Sequence, residues 1–158
     1  MHIIMHPADC LRAKCDPVEE ITDEVIEKAG EMQALMGKYG GQGLAAPQVG
    51  WNVRLFVTEN LVAVNPRVVW KSRELAIEPE GCLSIPSIVL NVRGRTRVEL
   101  EYTSLDGEVV KVKSSTPREA RIWLHELDHL DGVLILDKAI AAERPLLKKL
   151  YRDGIIAR

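Results

Sequence analysis

Residues 116–132, which read TPREARIWLHELDHLDG, predict a helix with a marked start and stop. Thr116 suits the N-cap, a proline follows in the first turn, and Glu119 completes a capping-box pattern three residues after the threonine. We expect the helix to run to about Leu130, and Gly132 fits its C-terminal stop. These signals predict the helix independently of the chemistry of its side chains.

The same helix carries HELDH at residues 125–129. Four residues advance about 400° around a helix, so His125 and His129 lie on one face and can converge on one metal ion. Glu126 lies beside the first histidine, where its carboxylate can reach a water molecule on the metal. The alternative is a solvated face with two ordinary histidines, but two of the chain's four histidines occupy these positions. The spacing therefore favours the site of an HExxH metallohydrolase.

A third ligand must come from elsewhere, because a catalytic site needs three protein ligands and an open position for water. Downstream of the helix, the one glutamate is Glu143. The other candidate is Cys82 in the segment EGCLS, residues 80–84, where Gly81 permits an unusual turn. A thiolate with two imidazoles suits iron, zinc, nickel or cobalt, whereas a lone cysteine is more often a buried free thiol. Both candidates stay open at this point.

A glycine-rich segment, GQGLAAPQ at residues 41–48, follows the first predicted helix. It lacks the Lys-Ser/Thr pair of a phosphate-binding loop, and we expect no helix after it. Its small residues and terminal Gln48 indicate a close backbone approach to a ligand and one amide donor. A plain turn into a strand is the alternative.

The rest of the chain reads as one helix, several strands and a short last helix. The first helix has apolar residues at 25, 29, 32 and 36, begins near Thr22 and ends at glycines 37, 40 and 41. Strands are predicted over residues 53–57, 61–64, 68–70, 95–103 and 109–113, with a break at Asn65-Pro66 and an Asp-Gly turn at 106–107. The last helix is expected over residues 142–152. Because strands and helices do not alternate, we predict an α+β fold with mainly antiparallel strands around the central HExxH-bearing helix.

Length and composition restrict the range of function classes. The chain has 158 residues, of which 46% are hydrophobic and 28% charged, with a formal net charge of −2. We therefore expect residues 1–158 to form a single domain that binds neither nucleic acid nor membrane. Three cysteines do not describe a disulfide framework, and we interpret Cys10 and Cys15 as buried free thiols. A cytoplasmic location fits this cysteine usage.

Three motifs taken together resemble those of the peptide deformylase family. They are residues 41–48, 80–84 and 125–129, in the order that the family shows. Val49-Gly50, Asn65-Pro66, Ile85-Pro86 and Leu130-Asp131-Gly132 also look like the family, so the resemblance covers nearly the whole chain. It implies removal of the N-formyl group from N-formylmethionine at the start of newly made polypeptides, with release of formate.

The resemblance also implies how the metal site works. Cys82, His125 and His129 would bind one divalent metal ion, Fe²⁺ first, with Zn²⁺, Ni²⁺ or Co²⁺ as substitutes. Glu126 would take the proton of the attacking water molecule and pass it to the departing amine. Of the two candidates for the third metal ligand, the resemblance therefore implies Cys82 and not Glu143.

Further residues receive roles toward the substrate from the same resemblance. The side-chain amide of Gln48 and the backbone N–H of Leu83 would stabilise the oxyanion. Gly41 and Gly43 would lie along the substrate pocket, with Gly43 at the mouth of the part that takes the methionine side chain. Glu80 would act behind the metal ligands or near the peptide.

The chain departs from the family pattern at two places near the site. Leu124 stands before HELDH, where the family usually has glutamine. Residues 87–90 (SIVL) occupy a stretch in which many members carry an arginine, and the nearest arginines are Arg93 and Arg95. These differences affect packing behind the site and recognition of the peptide.

The expected partners are nascent formyl-Met peptides, and we expect a monomer. The C-terminal region is short, and Lys148, Lys149 and Arg152 form a small basic cluster that gives little support for docking on the ribosome. Two alternatives stay open. One is a zinc amidase or peptidase acting on another acyl group, and the other is a peptide-binding module with a structural metal.

Overall fold

The computed structural model describes residues 1–157 and shows an α+β fold, which confirms the predicted class. Its helices are α1 (Asp23–Lys38), α2 (Pro117–Leu130), α3 (Ile135–Lys138) and α4 (Arg144–Arg152). Its strands are β1 (Gly43–Ala45), β2 (Leu55–Thr58), β3 (Val62–Lys71), β4 (Leu75–Cys82), β5 (Ile85–Arg95), β6 (Val98–Thr103) and β7 (Val109–Lys113).

The strands form two antiparallel sheets. The larger sheet has five strands in the order β1-β2-β3-β6-β7, and every neighbouring pair is antiparallel. The smaller sheet consists of β4 and β5 alone and is called the hairpin below. The HExxH-bearing helix α2 lies between the two sheets, since its side chains pack on both.

Strand β2 shows how the core is divided, because it is buried on both faces. Leu55 and Val57 pack with Met32 of α1, whereas Phe56 points the other way and packs with Trp123 of α2. Alternate residues of a strand face opposite sides of its sheet, so one strand contributes to both cores. A third cluster joins the hairpin to the C-terminal helices through Leu90 and its neighbours.

The start of α2 confirms the predicted capping, with one difference. Thr116 Oγ1 accepts a hydrogen bond from the Glu119 backbone N–H at 3.1 Å. The Glu119 carboxylate accepts from the Ser115 backbone N–H at 2.6 Å instead of turning back to Thr116. Both hydrogen bonds stabilise the first turn, so α2 begins where the sequence predicts. Gly132 ends the turn after the helix in the left-handed region, with φ of +71°.

Two strand predictions are wrong in their boundaries. The break at Asn65-Pro66 does not end a strand, because β3 continues through it with a shift in register between Val64 and Arg67. Asn65 has φ of 51°, and its side chain exchanges two hydrogen bonds of 2.8 Å with the backbone of Val18. Asn65 and Pro66 therefore form a bulge in β3, and the bulge binds the segment before α1 through Val18.

The hairpin was not predicted as a pair of strands. The strand expected over residues 95–103 begins at Val98, and Arg95 belongs to the preceding strand. Proline and glycine interrupt β4, but β5 carries a period-two signal, because Ile88, Leu90 and Val92 are buried and alternate with exposed residues. The short helix α3 was missed too, and a four-residue 3-10 helix, Ala46–Val49, follows β1 where we expected none.

The helix predictions otherwise agree with the structure. Helix α1 begins after Thr22, whose hydroxyl accepts from the Val25 backbone N–H, and the four predicted apolar residues are its buried ones. The last helix begins at Arg144 after a 3-10 turn. None of the helices within residues 1–157 combines the length and apolar character needed to cross a membrane.

Candidate metal centre and active site

Cys82, His125 and His129 come together at one point between the hairpin and α2. Cys82 ends strand β4, and the two histidines lie one turn apart on α2. The Cys82 Sγ atom is 3.3 Å from His129 Nε2, and His129 Nε2 is 3.2 Å from His125 Nε2. The ligand atoms of all three residues lie within 4.8 Å of one another.

The spacing of these three atoms fits a metal ion. Ligands at bond lengths of about 2.0–2.3 Å around a tetrahedral ion lie about 3.3–3.6 Å from one another. The two distances of 3.2 and 3.3 Å are close to that spacing. One thiolate and two imidazoles also form a donor set that takes iron, zinc, nickel or cobalt. Three protein ligands leave a fourth position for water or substrate, as in catalytic sites.

Charge in the cluster favours a bound cation. Burial, together with the charge of His125, lowers the pKa of His129 well below its ordinary value, so this imidazole is neutral, as a ligand must be. Burial also lowers the pKa of His125, but hydrogen bonds to Cys82 and Glu80 outweigh it. With the charge of Glu126 added, the pKa of His125 lies well above its ordinary value. The negative groups therefore stabilise a positive charge at this point, which a metal ion would supply.

Glu126 is buried beside the cluster and keeps one oxygen available. Its side chain is 3% exposed, and no hydrogen-bond partner among residues 1–157 reaches its Oε2 atom. Burial raises the pKa of this carboxyl to about 7, although the charge of His125 acts against the rise. A carboxyl whose pKa lies near neutrality can both accept and return a proton.

Glu80 lies behind His125, and each of its carboxylate oxygens contacts another side chain. Its Oε2 atom is 3.1 Å from His125 Nδ1, and its Oε1 atom accepts a hydrogen bond of 2.6 Å from Arg121 Nη1. Burial raises the pKa of Glu80, but the contacts with His125 and Arg121 outweigh burial and lower it overall. The ionised carboxylate can therefore orient the imidazole so that Nε2 faces the metal position.

Gln48 reaches the cluster from the glycine-rich segment. Its Oε1 atom accepts from the Ala45 backbone N–H at 2.9 Å, which fixes the orientation of the amide. Its Nε2 atom donates to Ser84 Oγ at 3.1 Å and lies 3.6 Å from Cys82 Sγ. Leu83 lies in the two-residue turn between β4 and β5, next to Cys82. The amide of Gln48 and the backbone of Leu83 therefore flank the thiol.

The two glycines of the segment allow close packing at the same place. A β-carbon at Gly43 would lie 2.4 Å from Glu126 Oε1, so only glycine lets the strand approach this carboxylate. A β-carbon at Gly41 would lie 2.8 Å from the Leu83 side chain. The close approach of the backbone is therefore made to the side chains of Glu126 and Leu83, whereas the predicted approach to a ligand stays a prediction.

The cluster opens into a pocket of about 730 Å³. Gly41, Gly43, Gln48, Glu80, Cys82, Leu83, His125 and Glu126 all line it, together with the apolar side chains Met5, Ile85, Pro86, Ile88, Val89 and Ile122. This volume is within the range of small-molecule and peptide sites. The predicted site residues therefore share one opening, apart from the deeply buried His129.

Three other charged residues make their contacts outside the cluster of metal ligands. Glu143 accepts hydrogen bonds from Asn91, so it is not the third ligand. Asp128 pairs with Lys138 of α3 at 2.9 Å, and it is Glu80 that contacts a histidine. Arg95 donates to backbone carbonyl groups of residues 72 and 73.

One residue of the site escaped the sequence analysis. Arg121 lies one turn before His125 on α2, is buried, and contacts Glu80. Its position in the sequence could have indicated it, because a residue four positions before a metal ligand lies on the same face of the helix as that ligand. Leu124, which replaces the usual glutamine, packs at the edge of the cluster around Phe56 and Trp123. That placement agrees with an effect on packing.

Comparison with known proteins shows the family of this chain. The family model of polypeptide deformylase matches residues 1–145. Peptide deformylase of Thermotoga neapolitana is 37% identical over 147 residues, which are 90% of this chain and 89% of the relative. Peptide deformylase 2 of Gloeobacter violaceus is 40% identical over 157 residues, which are 94% and 83% of the two chains.

A solved structure is similar over nearly the whole chain. It is a crystal structure of a peptide deformylase from Synechococcus elongatus in complex with actinonin, with a TM-score of 0.92 and 31% sequence identity. The match covers 99% of this chain and 89% of that one. The two alternatives, an amidase for another acyl group and a peptide-binding module, are not favoured by these matches. The chain therefore belongs to the peptide deformylase family, the metallohydrolases that remove the N-formyl group from newly made polypeptides.

Proposed function

We propose that Cys82, His125 and His129 hold the catalytic metal ion and that Glu126 is the general base. The convergence of the three ligand atoms within 4.8 Å carries this proposal. When bound by these residues, a divalent metal ion would supply a Lewis acid for the formyl carbonyl group and would lower the pKa of a water molecule. Glu126, buried next to the ligands, takes the proton of that water at Oε2 and delivers it to the departing amine.

Gln48 and Leu83 stabilise the charge that develops on the formyl oxygen. The amide of Gln48 is held by Ala45, so its Nε2 atom faces the thiol side of the site before substrate arrives. We assign the same role to the backbone N–H of Leu83, which lies in the adjacent turn between β4 and β5. Donors fixed in advance cost no reorganisation during the reaction, which is why they lower the barrier.

The pocket positions the peptide against these groups. Gly41 and Gly43 let the glycine-rich segment pack directly on Leu83 and Glu126, which holds these two residues along the pocket wall. The apolar side chains of the pocket, Ile88 and Val89 among them, suit the methionine side chain and the extended peptide. We assign Glu80 to the orientation of His125, because both of its oxygens already contact protein side chains.

Iron is the metal that we propose for the cell. The thiolate and imidazole donors accept Fe²⁺, Zn²⁺, Ni²⁺ and Co²⁺, so metal supply decides among them. If Fe²⁺ is the metal, the activity of protein purified without oxygen will fall in air, because the iron or Cys82 is oxidised. Activity that is equal in air and under anaerobic conditions, with zinc or nickel found by elemental analysis, would contradict the assignment to iron.

We further propose that residues 1–158 act as a single catalytic domain, as a monomer, in the cytoplasm where formylated chains emerge from the ribosome. Lys148, Lys149 and Arg152 are exposed on α4 and, with Arg144, are the basic groups of this helix that we assign to contact with the ribosome. Sedimentation of the purified protein tests the monomer, and co-sedimentation with ribosomes tests the contact.

A substrate panel tests the proposed function. Formyl-Met-Ala-Ser, acetyl-Met-Ala-Ser and Met-Ala-Ser are offered to the anaerobic Fe²⁺ protein, and formate, acetate and free methionine are measured. We expect formate from the first peptide alone. Acetate or free methionine as the main product would indicate an amidase or peptidase, and binding without any product would indicate a peptide-binding module.

A further inference from the structure

The ligands of the metal centre lie on two elements that no shared sheet holds together. Cys82 belongs to the hairpin, whereas His125 and His129 belong to α2. Within residues 1–157, neither strand of the hairpin is part of the five-stranded sheet. The distance between thiol and imidazoles therefore depends on how the hairpin docks on the helix.

Arg121 spans that junction with its guanidinium group. Its Nη1 atom donates to Val92 O at 3.0 Å and to Glu80 Oε1 at 2.6 Å, and its Nη2 atom donates to Ala76 O at 3.1 Å. These acceptors belong to both strands of the hairpin. The side chain is 9% exposed, so water competes little for these hydrogen bonds. One residue of α2 thus contacts β4 and β5 simultaneously.

The contact with Glu80 connects Arg121 to a metal ligand. The second oxygen of the same carboxylate lies 3.1 Å from His125 Nδ1. A carboxylate partner fixes the ring orientation of a ligating histidine, and removing such a partner typically costs about 10–100-fold in metal affinity or activity. Arg121 in turn fixes the carboxylate, because its planar group donates in a rigid geometry.

The hairpin leaves room for this guanidinium group at Gly94. Residue 94 is paired with Ala76 across the two strands, so two of the smallest residues face each other. A β-carbon at Gly94 would lie 3.4 Å from both terminal nitrogen atoms of Arg121. A β-carbon alone would fit, but a larger side chain would occupy the space of the guanidinium group.

We propose that Arg121 is a positioning residue of the metal centre. It docks the hairpin on α2 and holds Glu80 against His125, and both effects set the spacing of Cys82 from the two histidines. The proposal rests on the ligand set given under the proposed function. It predicts that Arg121 acts on metal affinity and on ligand geometry, and not on overall stability alone.

Two variants test it by different routes. Arg121→Lys keeps a positive charge near Glu80 but loses the planar group that reaches both strands. Gly94→Leu keeps Arg121 but places side-chain carbons where its guanidinium group lies. Co²⁺ affinity is measured by competition with a chelator, and the thiolate-to-cobalt absorption band reports on the Cys82 contact. The melting temperature of the metal-free protein is recorded for each variant.

We expect both variants to bind Co²⁺ about 10-fold or more weakly and to shift or weaken the thiolate band. Val25→Ala, in the core of α1 away from the hairpin, is the control that lowers the melting temperature without changing Co²⁺ affinity. Wild-type affinity and an unchanged band in either folded variant would overturn the proposal and leave Arg121 a structural residue. A wild-type protein without a thiolate band would overturn the ligand set itself.

Discussion

The backbone of Gly43 packs directly against the carboxylate of Glu126, since a β-carbon on the glycine would lie 2.4 Å from Glu126 Oε1. This contact joins the glycine-rich segment to the HExxH helix at the one side chain that we propose as the base. It also explains why a small residue is required there, independently of any substrate. The loop and the helix therefore form one unit, and a change in either moves the carboxylate.

Gly43→Ala is expected to lower the rate of deformylation. The added methyl group must push Glu126 away, and a displacement of about 1 Å at a catalytic group can cost about 10²-fold in rate. Metal content is expected to stay at the wild-type level, because the ligands are not touched. Gly30→Ala is the matched control, since a β-carbon there meets no atom within 4 Å. Wild-type kcat/KM in Gly43→Ala would contradict the proposed position of the base.

Gln48→Leu is expected to lower kcat by about 10²–10³-fold, the usual cost of removing one oxyanion donor. The variant also leaves the buried Ala45 N–H without its acceptor, so the free energy of unfolding should fall by about 1–3 kcal/mol. Steady-state kinetics and urea unfolding separate the two effects. If stability falls while kcat is unchanged, Gln48 only supports the loop.

Much of this site could be predicted from the sequence because its chemistry is local. Four-residue spacing on a capped helix places His125 and His129 together. The glycines at 41 and 43 predict a close backbone approach to a ligand, and the structure shows that approach against Glu126 and Leu83. The third ligand could not be found in this way. Spacing left Cys82 and Glu143 open, and the choice depends on how the hairpin folds back on α2.

The hairpin itself shows where sequence reasoning fails. Pro79 and Gly81 mark β4 as a loop, yet pairing with the regular strand β5 keeps it extended. Asn65-Pro66 was predicted to end a strand, but two hydrogen bonds between the Asn65 side chain and the Val18 backbone stabilise the irregular backbone. In both places a tertiary partner outweighs the local signal. Arg121 was missed for the same reason, because its partners are distant in sequence.

Cys82→Ser is expected to lose most of the bound metal. Removing the thiolate takes away the softest ligand, and the hydroxyl that replaces it does not ionise near neutral pH. After dialysis against a weak chelator, elemental analysis should find less than one metal ion per chain. Cys10→Ser is the control, because the Cys10 thiol donates to the Pro47 carbonyl group at 3.7 Å and is not one of the three clustered ligands. Full metal content in Cys82→Ser would place the third ligand elsewhere.

Cys15 is expected to make stability depend on pH in the alkaline range. Burial raises the pKa of its thiol to about 11 in the folded chain, against about 8.5 for a free cysteine. The stability that the neutral, buried Cys15 thiol contributes is therefore fully present below about pH 8.5. It is lost as the pH rises toward 11, because in that window the thiol ionises only in the unfolded chain. Denaturant unfolding should give a constant difference in the free energy of unfolding between wild type and Cys15→Ala below about pH 8.5. As the pH rises further, the free energy of unfolding of the wild type should fall relative to that of the variant. Parallel curves up to pH 11 would show that the thiol ionises freely.

The most direct test of the account compares formate release by wild type and Glu126→Gln. Both proteins are prepared without oxygen, loaded with Fe²⁺ and offered formyl-Met-Ala-Ser, with the metal content measured in the same samples. We predict one metal ion per chain in both, rapid release by the wild type, and a rate about 10²–10⁴-fold lower in the variant, because the amide cannot take a proton. Equal rates at equal metal content would contradict the assignment of Glu126 as the base.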